Sequence, residues 1–303
     1  MVVGAACCWG LMAVLAKLLF RDRGVDPLVL VAIRAYLATV TLFVAAAILR
    51  PARLRIRPQD FRVAAVIGVV GFAANNFLYF EALHLTSVST ALLLQYQAPI
   101  LVALYTAVVK RQSLGGRIIL ALVLALLGCA LVVRAYDYEV LRPNLLGVTA
   151  GVGTAFTFAF YMLVSRATLR TLDAWTLLAY AFFSASLFWS VVIPPWKILG
   201  QGFSLEIWAA FLGIAILGTV VPFGLFIGGL KFLPPTQAGI VSMLEPVVAA
   251  MAAYMFLGET LLPLQILGGG LVLVGVVMVQ TGRAVHVARD VIEARVDRRV
   301  IPG

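Results

Sequence analysis

Ten runs of about twenty apolar residues, joined by short connections, make up almost the whole sequence. A run of that length crosses the roughly 30 Å hydrocarbon core of a bilayer as one helix. No water is available there, so each segment must satisfy its own backbone polar groups, and the helix does so. The spans are read as 2–20, 27–49, 61–83, 86–109, 116–133, 144–165, 173–193, 205–230, 236–257 and 263–281. Only 12% of the 303 residues are charged and 63% are hydrophobic. Soluble proteins carry roughly a quarter charged residues, so a soluble fold of this size is excluded. The longest connections, 50–60, 134–143 and 194–204, cannot hold a soluble domain. Whatever the chain does is expected to happen within the membrane or at its surface.

The net charge is +10, and the basic residues sit between the spans. That is the pattern of charge-directed insertion, and it argues against a nucleic-acid partner. Of the 23 Lys and Arg, sixteen fall in the even-numbered connections and the tail and six in the odd-numbered ones, with Arg34 inside a span. The positive-inside rule then places both termini on the cytoplasmic side of a cell membrane. The first apolar run has no basic segment ahead of it and is read as a span rather than a cleaved leader. Cys7, Cys8 and Cys129 lie within apolar runs without metal-ligand spacing. They read as small apolar filler, and no metal or other cofactor is expected. The tail, 282–303, mixes Arg289, Arg295, Arg298 and Arg299 with Val287, Val291, Ile292 and Val296. It reads as a solvated basic tail or as an amphipathic helix on anionic lipid.

The two halves align at one offset. A shift of 147 carries Asp26 to Asp173, Gly71 to Gly218, Ala91 to Ala238, Pro99 to Pro246 and Gly128 to Gly275. This predicts an all-α membrane protein of two five-helix repeats, 1–143 and 144–281, followed by the basic tail. Five is an odd number, so the second copy enters the membrane from the opposite side. Inverted repeats of this kind are typical of secondary transporters, whose solute sites lie at the repeat interface near the midplane.

Polar groups inside spans are costly and tend to face a bundle interior or cavity. Ala238, Ser242, Glu245 and Ala249 form one small and polar stripe on the ninth span, and the repeat sets Gln95 on the matching stripe of the fourth. Both spans hold a proline at mid-length. Pro99 frees the carbonyl of Gln95 and Pro246 that of Ser242, and carbonyls at that depth need a partner. One wall of a solute cavity is expected there, with the two prolines as kinks; the competing account is a pair of kinks satisfied by neighbouring helices. Asn75 and Tyr79, Tyr161, and Trp9 are further candidate lining residues, suited to an amphipathic or aromatic solute, or else ordinary packing groups. Arg34 pairs with Glu81 or meets a substrate carboxylate. Glu245, the acid at mid-depth, is a candidate for a proton-coupled step or a buried acid held by backbone. H-E-x-x-H, G-x-S-x-G and Walker A patterns are absent, so neither hydrolysis nor ATP-driven transport is expected.

These residues also carry a resemblance. Leu230-Lys231-Phe232-Leu233, Ala238-Gly239, Leu244-Glu245-Pro246, Leu257-Gly258-Glu259 and the segment ending in Gly275-Val276 resemble the second repeat of the EamA branch of the drug/metabolite transporter superfamily. Arg34, and Tyr79-Phe80-Glu81-Ala82-Leu83 through Ala98-Pro99, are similar to its first repeat. Two departures stand in that repeat: Gln97-Ala98-Pro99 replaces Leu-Glu-Pro, and Lys110-Arg111-Gln112 replaces Leu-Gly-Glu. The resemblance implies ten helices, a central cavity and ATP-independent export or exchange of a small solute, amino acids among them. Multidrug efflux and a non-transporting sensor or scaffold are the alternatives. The expected partners are the solute, the lipid bilayer and, if Glu245 titrates in the cycle, protons. The glycines Gly268, Gly269, Gly270 and Gly275 permit close helix contact, within one chain or between subunits.

Overall fold

The computed structural model describes the backbone of residues 1–49, 51–137 and 144–300, and the side chains of these apart from 53, 88, 89 and 282–300. The side chains of the tail expected at 282–303 and the connection 138–143 therefore lie outside the described residues. The helices are α1 (Val2–Arg23), α2 (Pro27–Leu49), α3 (Pro58–Leu85), α4 (Thr90–Val109), α5 (Gly116–Val132), α6 (Leu145–Thr168), α7 (Ala174–Val192), α8 (Leu205–Leu230), α9 (Pro235–Leu257) and α10 (Pro263–Thr281, the apolar part of a helix reaching Val300). Among the described residues nine are long and apolar enough to cross a membrane; α5, equally apolar, has 17 residues. No strand occurs among them.

The boundaries follow from local chemistry. The first N–H groups of a helix lack intrahelical acceptors. Side chains supply them: Asp26 Oδ1 accepts from Leu28 N at 2.7 Å, Asn144 Oδ1 from Gly147 N at 3.1 Å, and Asp173 Oδ2 from Trp175 N at 3.0 Å. Pro27, Pro58, Pro235 and Pro263 open their helices, where a missing N–H costs nothing. Gly24 and Gly258 close α1 and α9 in the left-handed conformation, at φ 62° and 67°.

Successive helices run in opposite directions, so the bundle has a Met1 face and a Gly24 face. α1 packs on α8 and α9, α6 on α3 and α4, α2 on α7 and α8, α3 on α7, α4 on α9, and α5 on α10. Exchanging the halves, α1 for α6 and so on, turns this set of contacts into itself. Close approach is permitted by glycine: a Cβ on Gly128 would lie 2.5 Å from the Gly268 carbonyl oxygen, and one on Gly275 would lie 2.8 Å from that of Ala121. These two glycines of α10 thus serve contact within the chain, whereas Gly270 has open space around it. Val40, Val44 and Ile48 of α2 are exposed at helical spacing, as a lipid-facing stripe requires.

Two kinds of irregularity interrupt the spans. α4 breaks at Tyr96–Gln97 and α9 at Met243, between regular segments ending at Gln95 and Ser242 and restarting at Ala98 and Leu244. Tyr96 and Met243 are 147 apart, and each break lies three residues before its proline. π-helical turns occupy Ile67–Ala74 in α3 and Ile216–Val220 in α8, spanning Gly71 and Gly218, and a third occupies Tyr105–Val109 at the end of α4. Such turns widen a helix locally and often mark functional sites.

Candidate functional site

The α4 break delivers Tyr96 to α9. Its phenol, 2% exposed, donates to Glu245 Oε2 at 2.8 Å. Glu245 is ten residues into α9, so about 15 Å from the Met1 face at 1.5 Å per residue. It is nevertheless only partly buried. A carboxylate turned toward lipid at that depth is costly, so its accessible part belongs to the protein interior. Oε1 has no donor among the described residues.

Tyr79 of α3 is partly buried, and its ring meets Phe80 edge-on at 5.4 Å. Arg34 is partly buried, seven residues into α2 and so ~10 Å from the Gly24 face. Its guanidinium is fixed by the π turn of α8: Nε donates to Thr219 Oγ1 at 2.9 Å and Nη2 to the Gly218 carbonyl at 3.4 Å. Nη1 has no acceptor among the described residues. Arg34 and Glu245 form no direct ion pair, and the expected Arg34–Glu81 pair is not formed either. The π turn explains both facts, because it presents a hydroxyl and a carbonyl that hold the arginine head toward α8.

The other predicted residues divide. Gln95 is partly exposed one residue before the break, with no side-chain hydrogen bond among the described residues. Ser242 is placed differently from the cavity wall expected of it. It is 1% exposed, and its hydroxyl donates to the Gly239 carbonyl at 2.7 Å within its own helix. Asn75 is also turned away: Nδ2 donates to the Thr154 carbonyl at 3.0 Å and to Thr157 Oγ1 at 2.8 Å, joining α3 to α6. Tyr161 has no exposure, its hydroxyl has no partner among the described residues, and its ring packs among Phe72, Phe158, Phe223 and Phe226. Trp9 meets Phe223 edge-on at 5.0 Å while staying partly exposed. Pro99 and Pro246 are buried; a Cβ on Gly239 would come within 2.8 Å of the Pro99 ring. Tyr96 and Thr219 were not anticipated. The signal for Tyr96 was available, since it follows Gln95 and precedes Pro99 by three, but its reach to Glu245 depends on how α4 crosses α9.

A cavity of about 530 Å³ opens at the Met1 face between the α4–α5 and α8–α9 connections, with Thr106, Lys110, Arg117, Thr236 and Gln237 in its wall. No acid lines it. Along both α4 and α9 the Pro99–Gly239 contact lies between this cavity and the Tyr96–Glu245 bond. On the opposite face, Lys17 of α1 pairs with Glu259, just beyond α9, at 2.5 Å, and Arg23 pairs with Glu206 of α8 at 3.2 Å.

The chain is 28% identical over 214 residues (69% of this chain, 75% of the other) to an uncharacterised transporter of Archaeoglobus fulgidus. It is 28% identical over 264 residues (86% and 83%) to the threonine/homoserine exporter RhtA of Escherichia coli strain K12. One solved crystal structure, 18% identical, superimposes over 96% of both chains with a TM-score of 0.76, a likeness of fold. The sequence profile of the EamA-like transporter family matches residues 1–134 and again 145–281. With its multi-pass apolar helices and its small-metabolite transporter relatives, the chain belongs to the EamA-like transporter family.

Proposed function

We propose that this transporter exports small amino acids, without ATP, by alternating access to a central site between two inverted repeats. The observation that carries this reading is the meeting of the two broken helices. α4 and α9 cross, each interrupted at mid-membrane, and the Tyr96–Glu245 bond joins them there. A partly buried carboxylate and a buried tyrosine meet at that crossing. The packing that maps onto itself when the halves are exchanged supports the inverted-repeat division at 1–143 and 144–281. A relative named as a threonine/homoserine exporter, covering most of both chains, supports the solute class. The stacking of Tyr161 among other rings favours a small polar solute over the large aromatic ones of multidrug efflux.

In this reading the Met1 face is cytoplasmic, consistent with the basic residues concentrated there. The cavity at that face is the approach from the cell, and the Pro99–Gly239 contact is the closed passage above it. Purified protein in liposomes should show saturable counterflow of labelled threonine or homoserine. Flux of cationic drugs with none of amino acids would replace this reading by multidrug efflux.

A further inference from the structure

We infer that the cavity at the Met1 face is an anion site that takes a phosphate group, with Lys110 and Arg117 supplying its charge and the N-termini of α5 and α9 its neutral donors. The inference goes beyond the transport reading, and its test measures binding, so the two stand or fall separately.

The cavity wall is rich in donors. Lys110 lies just beyond α4 and Arg117 in the first turn of α5, and both line the one cavity, which has no acid in its wall. Among the described residues neither cation has a carboxylate partner. Lys110 Nζ stands 5.8 Å from the centre of the Tyr105 ring. Arg117 is held to α10, where Nε donates to the Met278 carbonyl at 2.9 Å and Nη2 to Thr281 Oγ1; Nη1 is left over. Gly115 and Pro234, which precede α5 and α9, give those helices no side-chain cap, and both lie in the same wall. Helix N-termini in this condition favour anions. Thr236 is an independent sign of a ligand. It is 3% exposed, it lines the cavity, and its hydroxyl has no hydrogen-bond partner among the described residues. A polar group so nearly buried is expected to have a partner, and an acceptor held in the cavity supplies one.

The internal repeat offers a comparison within the chain. The shift of 147 carries Lys110-Arg111-Gln112 to Leu257-Gly258-Glu259 at the opposite face. Both segments leave their helix in the left-handed conformation, Gly258 at φ 67° and Arg111 at φ 52°. Glycine adopts it freely, whereas an arginine there is strained. The first repeat thus bears backbone strain at a position where it gains two cations and lacks the acid that pairs with Lys17 in the second.

Phosphate suits this donor set, because its oxygens can meet an arginine fork, a lysine point charge and backbone N–H groups at once. Basic pockets between membrane helices bind phospholipid headgroups. Phe232 in the wall is 60% exposed, and Val108 and Val109 beside Lys110 are 71% and 62% exposed, an apolar surface for acyl chains. The phosphate group belongs to an anionic phospholipid or comes free from solution.

The test measures the thermal stability of the full chain in neutral detergent. It is titrated with phosphatidylglycerol, with phosphatidylcholine of the same acyl chains, and with inorganic phosphate against chloride at equal ionic strength. A ligand that binds the folded chain raises the melting temperature. Phosphatidylglycerol, inorganic phosphate or both should do so saturably, and phosphatidylcholine and chloride should not. A rise with the lipid alone assigns the site to a headgroup, and one with inorganic phosphate shows that the free ion suffices. Lys110→Gln, at an exposed side chain, should weaken the midpoint about tenfold, as loss of one hydrogen bond to a charged group does. Thr236→Val, which removes the hydroxyl and keeps the shape, should weaken it less. Arg170→Gln removes the same charge from an exposed site on the same face outside the cavity, and should leave the midpoint unchanged. No saturable rise with either ligand overturns the site. So does an equal loss in Lys110→Gln and Arg170→Gln, which would reduce the effect to general attraction by a basic face.

Discussion

At the scale of single residues, the polar side chains inside the spans fall into two groups according to where their hydrogen bonds go. Asn75 and Ser242 are spent on backbone and hydroxyl partners, while Glu245 and Arg34 keep an unengaged end. Ser242→Ala should accordingly leave threonine counterflow unchanged, in contrast to the cavity role that the stripe on α9 suggests. Asn75→Leu removes both bonds between α3 and α6. Interhelical hydrogen bonds in membranes contribute roughly 0.6 kcal/mol each, up to about 1.7, so thermal stability should fall modestly while solute selectivity stays the same. Glu245 is the acid placed at mid-depth, and Glu245→Gln removes a carboxyl there that can exchange a proton for a charge. Transport by the native chain should vary with pH and transport by this variant should not; a retained pH profile would take Glu245 out of the coupling step.

At the scale of elements, helix approach depends on missing side chains. Gly275 sits where a Cβ would meet the Ala121 carbonyl oxygen and Ala125, and Gly10 where one would meet the Glu245 carbonyl oxygen at 2.8 Å. Gly275→Val should separate α5 from α10 and cost about 1–3 kcal/mol, the range for overpacking a closed contact. It should lower the melting temperature without a change of selectivity. Gly10→Val presses instead on the backbone that carries Glu245, so it should also raise KM for threonine. The breaks in α4 and α9 were legible in part: Pro99 and Pro246 mark them in the sequence, because proline cannot donate to the preceding turn. The π turns in α3 and α8 had no comparable mark, since residues such as Gly71 and Gly218 are equally at home in a regular helix.

At the scale of the whole molecule, the Pro99–Gly239 contact lies between the Met1-face cavity and the Tyr96–Glu245 bond, and the Gly24 face carries the Lys17–Glu259 and Arg23–Glu206 pairs. Exposed pairs of this kind contribute at most about 1 kcal/mol, so they can form and break within a transport cycle. Cysteines at 17 and 259, joined by a reducible cross-linker, should arrest counterflow, and reduction should restore it. Undiminished flux in the cross-linked protein would show that α1 and α9 do not separate at this face.

The sequence by itself determined the helices, their order and the internal two-part repeat. Each of these depends on composition and spacing along one segment: apolar length, capping residues at the ends, and a constant offset between copies. It also marked Glu245 and Arg34, because a charge inside an apolar run is conspicuous against its neighbours. It left the partners of those charges open. Whether Arg34 meets Glu81 or Thr219, and whether Ser242 faces a cavity or its own helix, depends on helix rotation and crossing, which no single segment encodes. Only the tertiary structure decided them, by bringing the Tyr96 phenol across from α4 to Glu245 and by widening α8 at Thr219, where Arg34 is held.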